Sequence, residues 1–578
     1  MKGIFVKGKG IAALLIMSIL LSGLLAGCGG SKDTAANAEA AVNAEAEANA
    51  ETAANTEAAV NDEIMEHVIA EETSEPENVD MAVSEETGQD EVCAAWPEEN
   101  TEEYSELEES GFSAVYSDPL STFSADVDTA SYSNLRRLVQ EGYGLGELPE
   151  GAVRIEEIIN YFSYGDLEEP KGREPFGVTA QVMPCPWNED SQLLRIGLKT
   201  EEIDYSDLPE SNLVFLLDVS GSMYSEDKLP LLQDSFALLA ENLTEKDRVS
   251  IVTYAGDDTV VIEGVSGNHT KEICEALFEL EAGGSTHGSK GIETAYSLAE
   301  DYYIEGGNNR VILATDGDLN VGLTTEEELE DLITEKKESG VFLSVLGFGT
   351  GNIKDNKMET LADKGNGNYA YIDSLKEAHK VLVEEMGATL LTVCKDVKFQ
   401  VEFNPAVVKE YRLIGYENRR LAAEDFEDDR KDAGEIGAGH CVTALYEIIT
   451  NEPVNGRGRK DDGSKEEAYE NTNGNIKYSG SYKEDEWLTI SIRYKEPDGR
   501  KSMLLEYPVD YTSYTEEPDD DFLFVAAAAE FGLTAMDSEY KEDASLEHVI
   551  GVLKKIDLDD EYKEEFAELV KEFRKNSR

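Results

Sequence analysis

The chain has 578 residues, of which 122 are acidic and 50 are basic, and its formal net charge at pH 7 is −72. Nucleic acid and anionic lipid headgroups repel so acidic a chain, which argues against both as partners of its surface. The 6 cysteines are scattered and free of CxxC spacing, which argues against a zinc cluster and against a disulfide framework.

Residues 1–27 have the pattern of an export signal. Three lysines precede an apolar run from residue 11 to residue 25, which is short for a bilayer span. The run leads into Leu-Ala-Gly-Cys, which resembles a bacterial lipobox and implies that Cys28 carries a diacylglyceryl anchor, a stable two-chain attachment. We therefore expect an extracytoplasmic, membrane-tethered protein at a cell surface or periplasmic face. An ordinary signal peptide that contains a cysteine is the alternative.

Residues 28–115 are expected to form a disordered acidic spacer. Their composition is dominated by Ala, Glu, Asn and Thr, and so little apolar surface cannot offset the entropy lost on ordering. A flexible coil of about 80 residues spans on the order of 50 Å. The spacer is expected to hold a folded head away from the membrane and to bind nothing specifically.

Residues 116–209 are predicted to form a region of helices and strands. We expect two helices, one in the segment 118–140 and one over Val153–Phe162, followed by strands over 176–183 and 193–198. Asp126 and Asp128 have the spacing of metal ligands but lack the glycine and the later glutamate of a calcium loop. A helix cap or a turn is the favoured interpretation of this pair.

Between residues 210 and 391, short apolar runs alternate with segments of helical periodicity. This alternation predicts an α/β domain, doubly wound, with a mainly parallel sheet covered by helices on both faces. The expected strands are 213–219, 248–255, 259–265, 310–315, 341–348 and 369–372, and the expected helices are 228–243, 270–280, 288–304, 325–339, 358–363 and 375–391.

Two of these strands end in hard oxygen donors. The first runs into Asp218, Ser220 and Ser222, and the strand over residues 310–315 is followed by Asp316. Ligands of open α/β sheets bind outside the carboxyl ends of the strands, and a glycine-rich loop between the two strands adds the hydroxyl of Thr286. Carboxylates and hydroxyls suit Mg²⁺ and suit zinc or copper poorly. A capped helix start is the alternative for the first motif taken alone.

This set resembles the metal-ion-dependent adhesion site of von Willebrand factor type A (VWA) domains. The resemblance implies a Rossmann-like VWA fold, with Ser220, Ser222 and Thr286 bound to the metal through hydroxyls and Asp218 and Asp316 bound directly or through water. Mg²⁺ is the expected ion, with Mn²⁺ or Ca²⁺ as alternatives. Because only two ligands are charged, the metal stays electrophilic, and its open position suits a carboxylate of a protein or glycan partner.

Residues 392–515 are predicted to form an antiparallel, β-sandwich-like domain, and residues 516–578 are predicted to be helical. The polar stretch 451–480 is expected to be a mobile loop. The expected strands are 397–403, 410–414, 442–449, 488–494 and 502–507. Since strands lie on both sides of the VWA domain, we hypothesise that this domain is inserted into one sandwich.

Both flanks resemble a bacterial lipoprotein family in which a VWA domain lies between two family-specific regions. The segments VRIEEIINYFSY, PCPWN, EYRLIGYENR and DAGEIGAGHCVTALYEI carry this likeness, which extends from about Asp118 to the C-terminus. In related domains the last helix shifts when the metal site is occupied, so residues 375–391 are expected to relay binding to the flank.

We predict a binding protein rather than an enzyme. The sequence has no HExxH, GxSxG or P-loop motif. A metal-assisted hydrolase is one alternative, with His287, Glu293 and Asp318 as conceivable site groups, although loop or solvated positions are the favoured interpretation of all three. An envelope assembly or chaperone-like factor is another alternative, and the oligomeric state stays open.

Overall fold

The structure is a computed structural model that describes residues 100–578 except for 106, 204–208, 256, 284–287, 318–325, 338, 452–485, 498 and 500. The expected export signal, Cys28, most of the expected spacer and nearly all of the expected loop 451–480 lie outside the described residues, as do Thr286, His287 and Asp318. None of the helices in the described part combines the length and the apolar character that crossing a membrane requires.

The region before the VWA domain contains both strands and helices. Its elements are β1 (Ser113–Ala114), β2 (Leu120–Ser124), α1 (Ala130–Gln140), α2 (Ile155–Asn160), β3 (Phe176–Pro184) and β4 (Gln192–Thr200). The prediction of a helix in the segment 118–140 is wrong for its first part. Phe123 of β2 pairs with Phe399, and the two rings stack 4.8 Å apart. This strand partner is distant in the sequence, so no local pattern indicates it.

The VWA domain is a doubly wound sheet in the order β10-β9-β8-β5-β6-β7, in which only β7 is antiparallel to its described neighbour. This confirms the predicted fold class. Its elements are β5 (Ser211–Asp218), α3 (Leu229–Glu241), β6 (Arg248–Ala255), β7 (Asp257–Ser266), α4 (Thr270–Phe278), α5 (Gly288–Asp301), β8 (Asn308–Thr315), α6 (Glu326–Lys337), β9 (Phe342–Phe348), α7 (Asp355–Lys364), β10 (Tyr369–Ile372), α8 (Leu375–His379) and α9 (Met386–Leu390).

Helices cover both faces of the VWA sheet, which explains why β5 is an uninterrupted apolar run. Leu213, Phe215 and Leu217 pack against α3, α4 and α8 on one face. Val214 and Leu216 pack against α5, α6 and α7 on the other. The five side chains are fully buried, so the end of β5 is held rigidly at the edge of the sheet.

The single helix expected over residues 375–391 is instead interrupted. A π-helical turn over Lys380–Glu384 follows α8, and α9 starts beyond Glu385. The ammonium group of Lys380 lies 4.3 Å from the ring centroid of Tyr161 and pairs with the carboxylate of Glu385. The contact with Tyr161 is tertiary and is made from within the widened turn, and π-turns of this kind often mark functional positions.

The region after the VWA domain is β-rich and then helical. Its elements are β11 (Thr392–Phe403), β12 (Val408–Ile414), β13 (Gly434–Gly437), β14 (Cys441–Thr450), β15 (Glu486–Lys495), β16 (Met503–Asp510), α10 (Asp520–Ala535), α11 (Leu546–Leu553) and α12 (Glu561–Asn576). Side-chain oxygens of Asp519, Ser545 and Asp560 accept a backbone N–H at the starts of α10, α11 and α12, which satisfies helix N–H groups that have no partner within the helix.

The two flanks build one β-sandwich together. One sheet has the order β1-β12-β14-β4-β3, and the other joins β13-β11-β15-β16, with β2 also paired to β11. Ile196 of β4 lies opposite Ala444 of β14, so strands from before and after the VWA domain share a sheet. The sheets enclose a common apolar core. The VWA domain is therefore inserted between β4 and β11, as hypothesised.

Candidate metal centre

The centre lies at the carboxyl edge of the VWA sheet. Asp218 is the last residue of β5, and Asp316 follows the last residue of the parallel neighbour β8. Both side chains are fully buried. Adjacent parallel strands end at the same edge, so the fold places the two carboxylates beside each other.

The turn after β5 aligns the two serines with Asp218. The backbone N–H of Ser220 donates to Asp218 Oδ1 over 2.8 Å, and the hydroxyls of Ser220 and Ser222 lie 2.9 Å apart. Thr315 donates its hydroxyl to Asp218 Oδ2 over 3.1 Å. Asp218, Ser220 and Ser222 thus form one oxygen-rich cluster. Thr286, the remaining predicted ligand, lies outside the described residues.

The alternative interpretation of this motif as a helix cap does not match these contacts. A short 3₁₀ helix over Gly221–Tyr224 follows Ser220, and no side-chain hydrogen bond caps it. The Ser220 hydroxyl contacts the Ser222 hydroxyl instead of a backbone N–H group. A hydroxyl that serves no capping role is available as a ligand.

The electrostatics of the centre favour a cation. Burial, together with the nearby Asp316 carboxylate, raises the pKa of Asp218 to about 7. Burial also raises the pKa of the Tyr254 hydroxyl, and Asp218 adds to that shift. Two buried carboxylates repel each other, and a divalent ion between them would relieve the repulsion.

Lys228 is a further member of the centre, and no motif of the sequence predicts it. Its side chain is nearly buried, and its ammonium group donates to Asp316 Oδ2 over 3.1 Å and to Asn352 Oδ1 over 2.8 Å. In the sequence this lysine is the first residue of the helix predicted over residues 228–243. The available signal was a lysine directly before the apolar run of α3, ten positions after Asp218.

Two glycines allow the loops around the centre to pack closely. Gly349 has φ 75°, and a β-carbon there would collide with the aliphatic stem of Lys228. Gly317 has φ 95°, and a β-carbon there would collide with the backbone nitrogen of Lys354. A residue with a side chain would be strained at both positions and would also push the loops apart.

The chain before residue 116 contacts the same loops. Thr101 N–H donates to the carbonyl of Gly351 over 2.7 Å, Gly351 N–H donates to Glu102 Oε1 over 2.9 Å, and Lys354 donates to Glu103 Oε1 over 2.6 Å. With β1 at Ser113–Ala114, the folded part begins earlier than the predicted spacer boundary. Glu103 of this acidic segment pairs with the cationic Lys354, and amino-acid composition alone does not predict this ion pair.

One side of the centre faces solvent. Ser220 is buried, whereas Ser222 is exposed and the side chain of Tyr224 is 84% exposed. An exposed aromatic residue beside a cluster of oxygen donors is well placed to contact a partner. Glu293, a conceivable hydrolase group, is exposed on α5.

The donor set fits Mg²⁺. Hard oxygen ligands suit this ion, and two carboxylates with neutral hydroxyls leave coordination positions for water or a partner. No cluster of three or more His, Cys, Asp or Glu side chains suited to a metal occurs among the described residues. The candidate centre has two acids, so its ligand set depends on hydroxyl groups.

Asp126 and Asp128, the second pair considered as metal ligands, lie elsewhere and bind an arginine. Asp126 Oδ1 accepts the backbone N–H of Asp128 over 3.0 Å, which is a turn contact. Arg419 donates to Asp126 Oδ2 over 3.1 Å and to Asp128 Oδ2 over 2.9 Å. The turn interpretation of this pair is therefore correct.

Three family models match the chain. The model described as "von Willebrand factor type A domain" matches residues 212–384. The one described as "Uncharacterized protein YfbK, C-terminal" matches residues 388–575, and the one described as "von Willebrand factor" matches residues 98–195.

Two curated relatives illustrate the range of similarity. "Uncharacterized protein YfbK" of Escherichia coli (strain K12) is 43% identical over 455 residues, which are 78% of this chain and 76% of the relative. "Inter-alpha-trypsin inhibitor heavy chain H3" of Bos taurus is 27% identical over 266 residues, which are 42% of this chain and only 29% of the relative.

Among solved structures, a von Willebrand factor type A protein from Catenulispora acidiphila covers 71% of this chain and 92% of its own, with 14% identity and a TM-score of 0.38. The ArnB paralog VWA2 from Sulfolobus acidocaldarius covers 70% of this chain and 99% of its own, with 14% identity and a TM-score of 0.33.

Proposed function

The chain belongs to the family of YfbK-like bacterial proteins with a VWA domain, and from this premise we propose that it is a lipid-anchored, extracytoplasmic binding protein that holds Mg²⁺ and, through it, an acidic group of a protein partner. VWA domains commonly mediate protein interactions through metal-ion-dependent adhesion sites. An acidic glycan is the alternative partner.

One observation carries this proposal. Asp218 and Asp316 are both fully buried at neighbouring strand ends, whereas the hydroxyl-bearing Ser222 beside them is exposed. The metal ligands would be Asp218, Ser220, Ser222 and Asp316, with Thr286 completing the set. When bound, Mg²⁺ would supply an electrophilic position for a carboxylate oxygen.

The chain's own residues then have separate tasks. Thr315 orients the Asp218 carboxylate, Lys228 holds Asp316, and the exposed ring of Tyr224 offers apolar contact area beside the charged centre. Aromatic side chains are common binding anchors in protein interfaces. These roles favour a binding function, because none of the three side chains has to transfer a proton.

Metal-assisted hydrolysis would need a base near the metal. Of the residues considered for such a site, His287 and Asp318 lie outside the described residues, and Glu293 is exposed on α5. No specific observation therefore favours a hydrolase or an assembly factor over a binding protein.

Calorimetric titration of Mg²⁺ and Mn²⁺ into the full chain tests the metal centre. We expect saturable binding at one site, and loss of that binding when Asp218→Ala and Ser220→Ala are combined. A wild-type protein that binds neither ion would contradict the proposal. Equal binding by the double variant would place the metal elsewhere.

The lipid anchor is tested separately. We expect intact-mass measurement of the membrane fraction to show a diacylglyceryl group on Cys28, and Cys28→Ser to release the protein from the membrane. Membrane attachment that persists in Cys28→Ser would contradict this part of the proposal and leave the metal centre unaffected.

A further inference from the structure

We infer that Lys228 sets the charge of the metal centre: its ammonium group holds Asp316, lowers the affinity of the centre for the metal and makes the metal-loaded centre selective for an anionic partner. This inference rests on the proposed function and names a specificity-determining residue within it. Lys228 is 5% exposed, and its ammonium group lies 3.1 Å from Asp316 Oδ2.

The position of the lysine is built into the fold. Its stem passes over Gly349, where a β-carbon would collide with it, and its ammonium group is also held by Asn352 at 2.8 Å. Lys228 directly precedes α3, Asp316 follows β8, and Asn352 lies between β9 and α7. Residues from three separate loops of the VWA domain therefore meet at the ammonium group of Lys228.

The position of Lys228 determines the net charge of the centre with and without metal. Asp218 and Asp316 contribute two negative charges when ionised and Lys228 one positive charge, so these three groups sum to −1. The proposed hydroxyl ligands are neutral. A divalent ion changes the sum from −1 to +1, and an anionic ligand neutralises it. Without the lysine the same sum with metal would be zero, and the attraction for an anion would be weaker.

The same charge opposes metal binding. Lys228 repels a cation placed beside Asp316, and it occupies one carboxylate oxygen that a metal would otherwise share. Burying a lysine is costly unless it is well paired. A methionine would fill almost the same volume without a charge. The lysine is therefore better explained by its charge than by the packing of its stem.

The test compares the full-length wild type with Lys228→Met and with Lys563→Met as a matched control. Lys563 is similarly buried and pairs with Asp521 over 2.8 Å and Asp559 over 2.7 Å, both in the C-terminal helical region. Calorimetry with Mg²⁺ or Mn²⁺ alone measures metal affinity. Acetate titrated into the Mn²⁺-loaded protein, followed by water proton relaxation, measures anion binding at the metal.

We expect Lys228→Met to bind the metal about tenfold more tightly and acetate several-fold more weakly than wild type, because one positive charge is removed from the centre. Lys563→Met should match the wild type in both measurements. Lys228→Gln is the second variant if Lys228→Met does not fold, and it should change both affinities in the same directions.

The outcomes separate this inference from the proposed function. Metal binding of equal or lower affinity in the folded Lys228 variants overturns the role of Lys228 and leaves the metal centre standing. Tighter metal binding with unchanged acetate affinity overturns the selectivity. A wild type that binds no metal overturns the proposed function and this inference together.

Discussion

The candidate metal centre and the junction of α7 with the flanks both bury more carboxylates than cations. We call the second region the α7 junction. It comprises Asp126, Asp128, Arg154, Glu157, Asp355, Glu359, Asp363 and Arg419. Asp355, Glu359 and Asp363 lie on α7 of the VWA domain, and the other members come from the flanks. The junction therefore holds the inserted domain to the sandwich.

In the α7 junction, arginine side chains and bound protons balance the negative charge of the carboxylates. Its two guanidinium groups face six carboxylates, and Arg419 alone contacts Asp126, Asp128, Glu359 and Asp363. Burial raises the pKa of Glu359 to about 8 and raises that of Asp128 well above its usual value. Bound protons thus neutralise part of the excess negative charge.

The candidate metal centre differs in its side chains and in its access to solvent. It places the hydroxyls of Ser220 and Ser222 beside Asp218, and Ser222 is exposed. The junction carboxylates are instead bonded to arginines, to Asn418, to the buried hydroxyl of Tyr369 and to backbone N–H groups. Excess negative charge by itself therefore does not distinguish the two regions, whereas hydroxyl groups that are open to solvent do.

The largest expected effect comes from removing the central cation of the junction. Arg419→Met leaves four carboxylates without that guanidinium, and we expect a loss of about 3–5 kcal/mol in the free energy of unfolding. Urea denaturation measures this loss. Added Mg²⁺ should not restore the stability. Arg430→Met is the control, because Arg430 is exposed and pairs only with Asp428 among its described contacts, so its free energy of unfolding should stay close to that of the wild type. A loss below about 1 kcal/mol in Arg419→Met would contradict a cohesive role.

At the metal centre, Thr315→Val should weaken metal binding without unfolding the protein. The variant keeps the shape of Thr315 but loses the hydroxyl that donates to Asp218 Oδ2. Groups that orient a metal ligand typically change affinity by about tenfold or more, and calorimetry with Mg²⁺ measures this. Thr253→Val on the neighbouring strand β6 is a control with no described contact to Asp218. Unchanged affinity in Thr315→Val would show that the hydroxyl does not orient the ligand.

The junction should also make stability depend on pH. The pKa of Glu359 is raised from 4.5 to about 8 in the folded protein, so the folded state retains a proton that the unfolded state releases. The resulting stabilisation is full below about pH 4.5 and is lost as the pH rises through about 8. We expect the Tm of metal-free protein to fall over this range and to fall less steeply in Glu359→Gln. An equal decrease of Tm with pH in the two proteins would contradict a raised pKa of Glu359 in the folded state.

The smallest expected effect is a change in hydrogen exchange across residues 375–403 on metal binding. Glu377 of α8 accepts hydrogen bonds from Arg136 over 2.7 Å and from the hydroxyl of Tyr161 over 2.7 Å, so movement of this helix would reach the flank. We expect amides here to change protection when Mg²⁺ is added to wild type and to stay unchanged in Asp218→Ala. Identical exchange in wild type with and without Mg²⁺ would rule out the relay.

Patterns over a few neighbouring residues predict part of the fold and of the candidate site. The buried run of β5 followed by Asp218, Ser220 and Ser222, and the later run followed by Asp316, indicate two strand ends with oxygen donors. The confirmed alternation of strands and helices places such ends at one edge of a parallel sheet. These inferences need only periodicity and the chemistry of neighbouring residues.

The sequence by itself therefore determined the alternating strands and helices of the doubly wound domain, the places of Asp218 and Asp316 at two strand ends and the helical C-terminus, because each rests on the periodicity or the chemistry of neighbouring residues. Tertiary structure alone decided that Leu120–Ser124 is a strand, that β4 pairs with β14 across the inserted domain and that the expected last helix is interrupted. It also decided that Lys228 contacts Asp316. Each of these features depends on a partner far away in the chain, and the packing that brings the partners together leaves no local periodic signal.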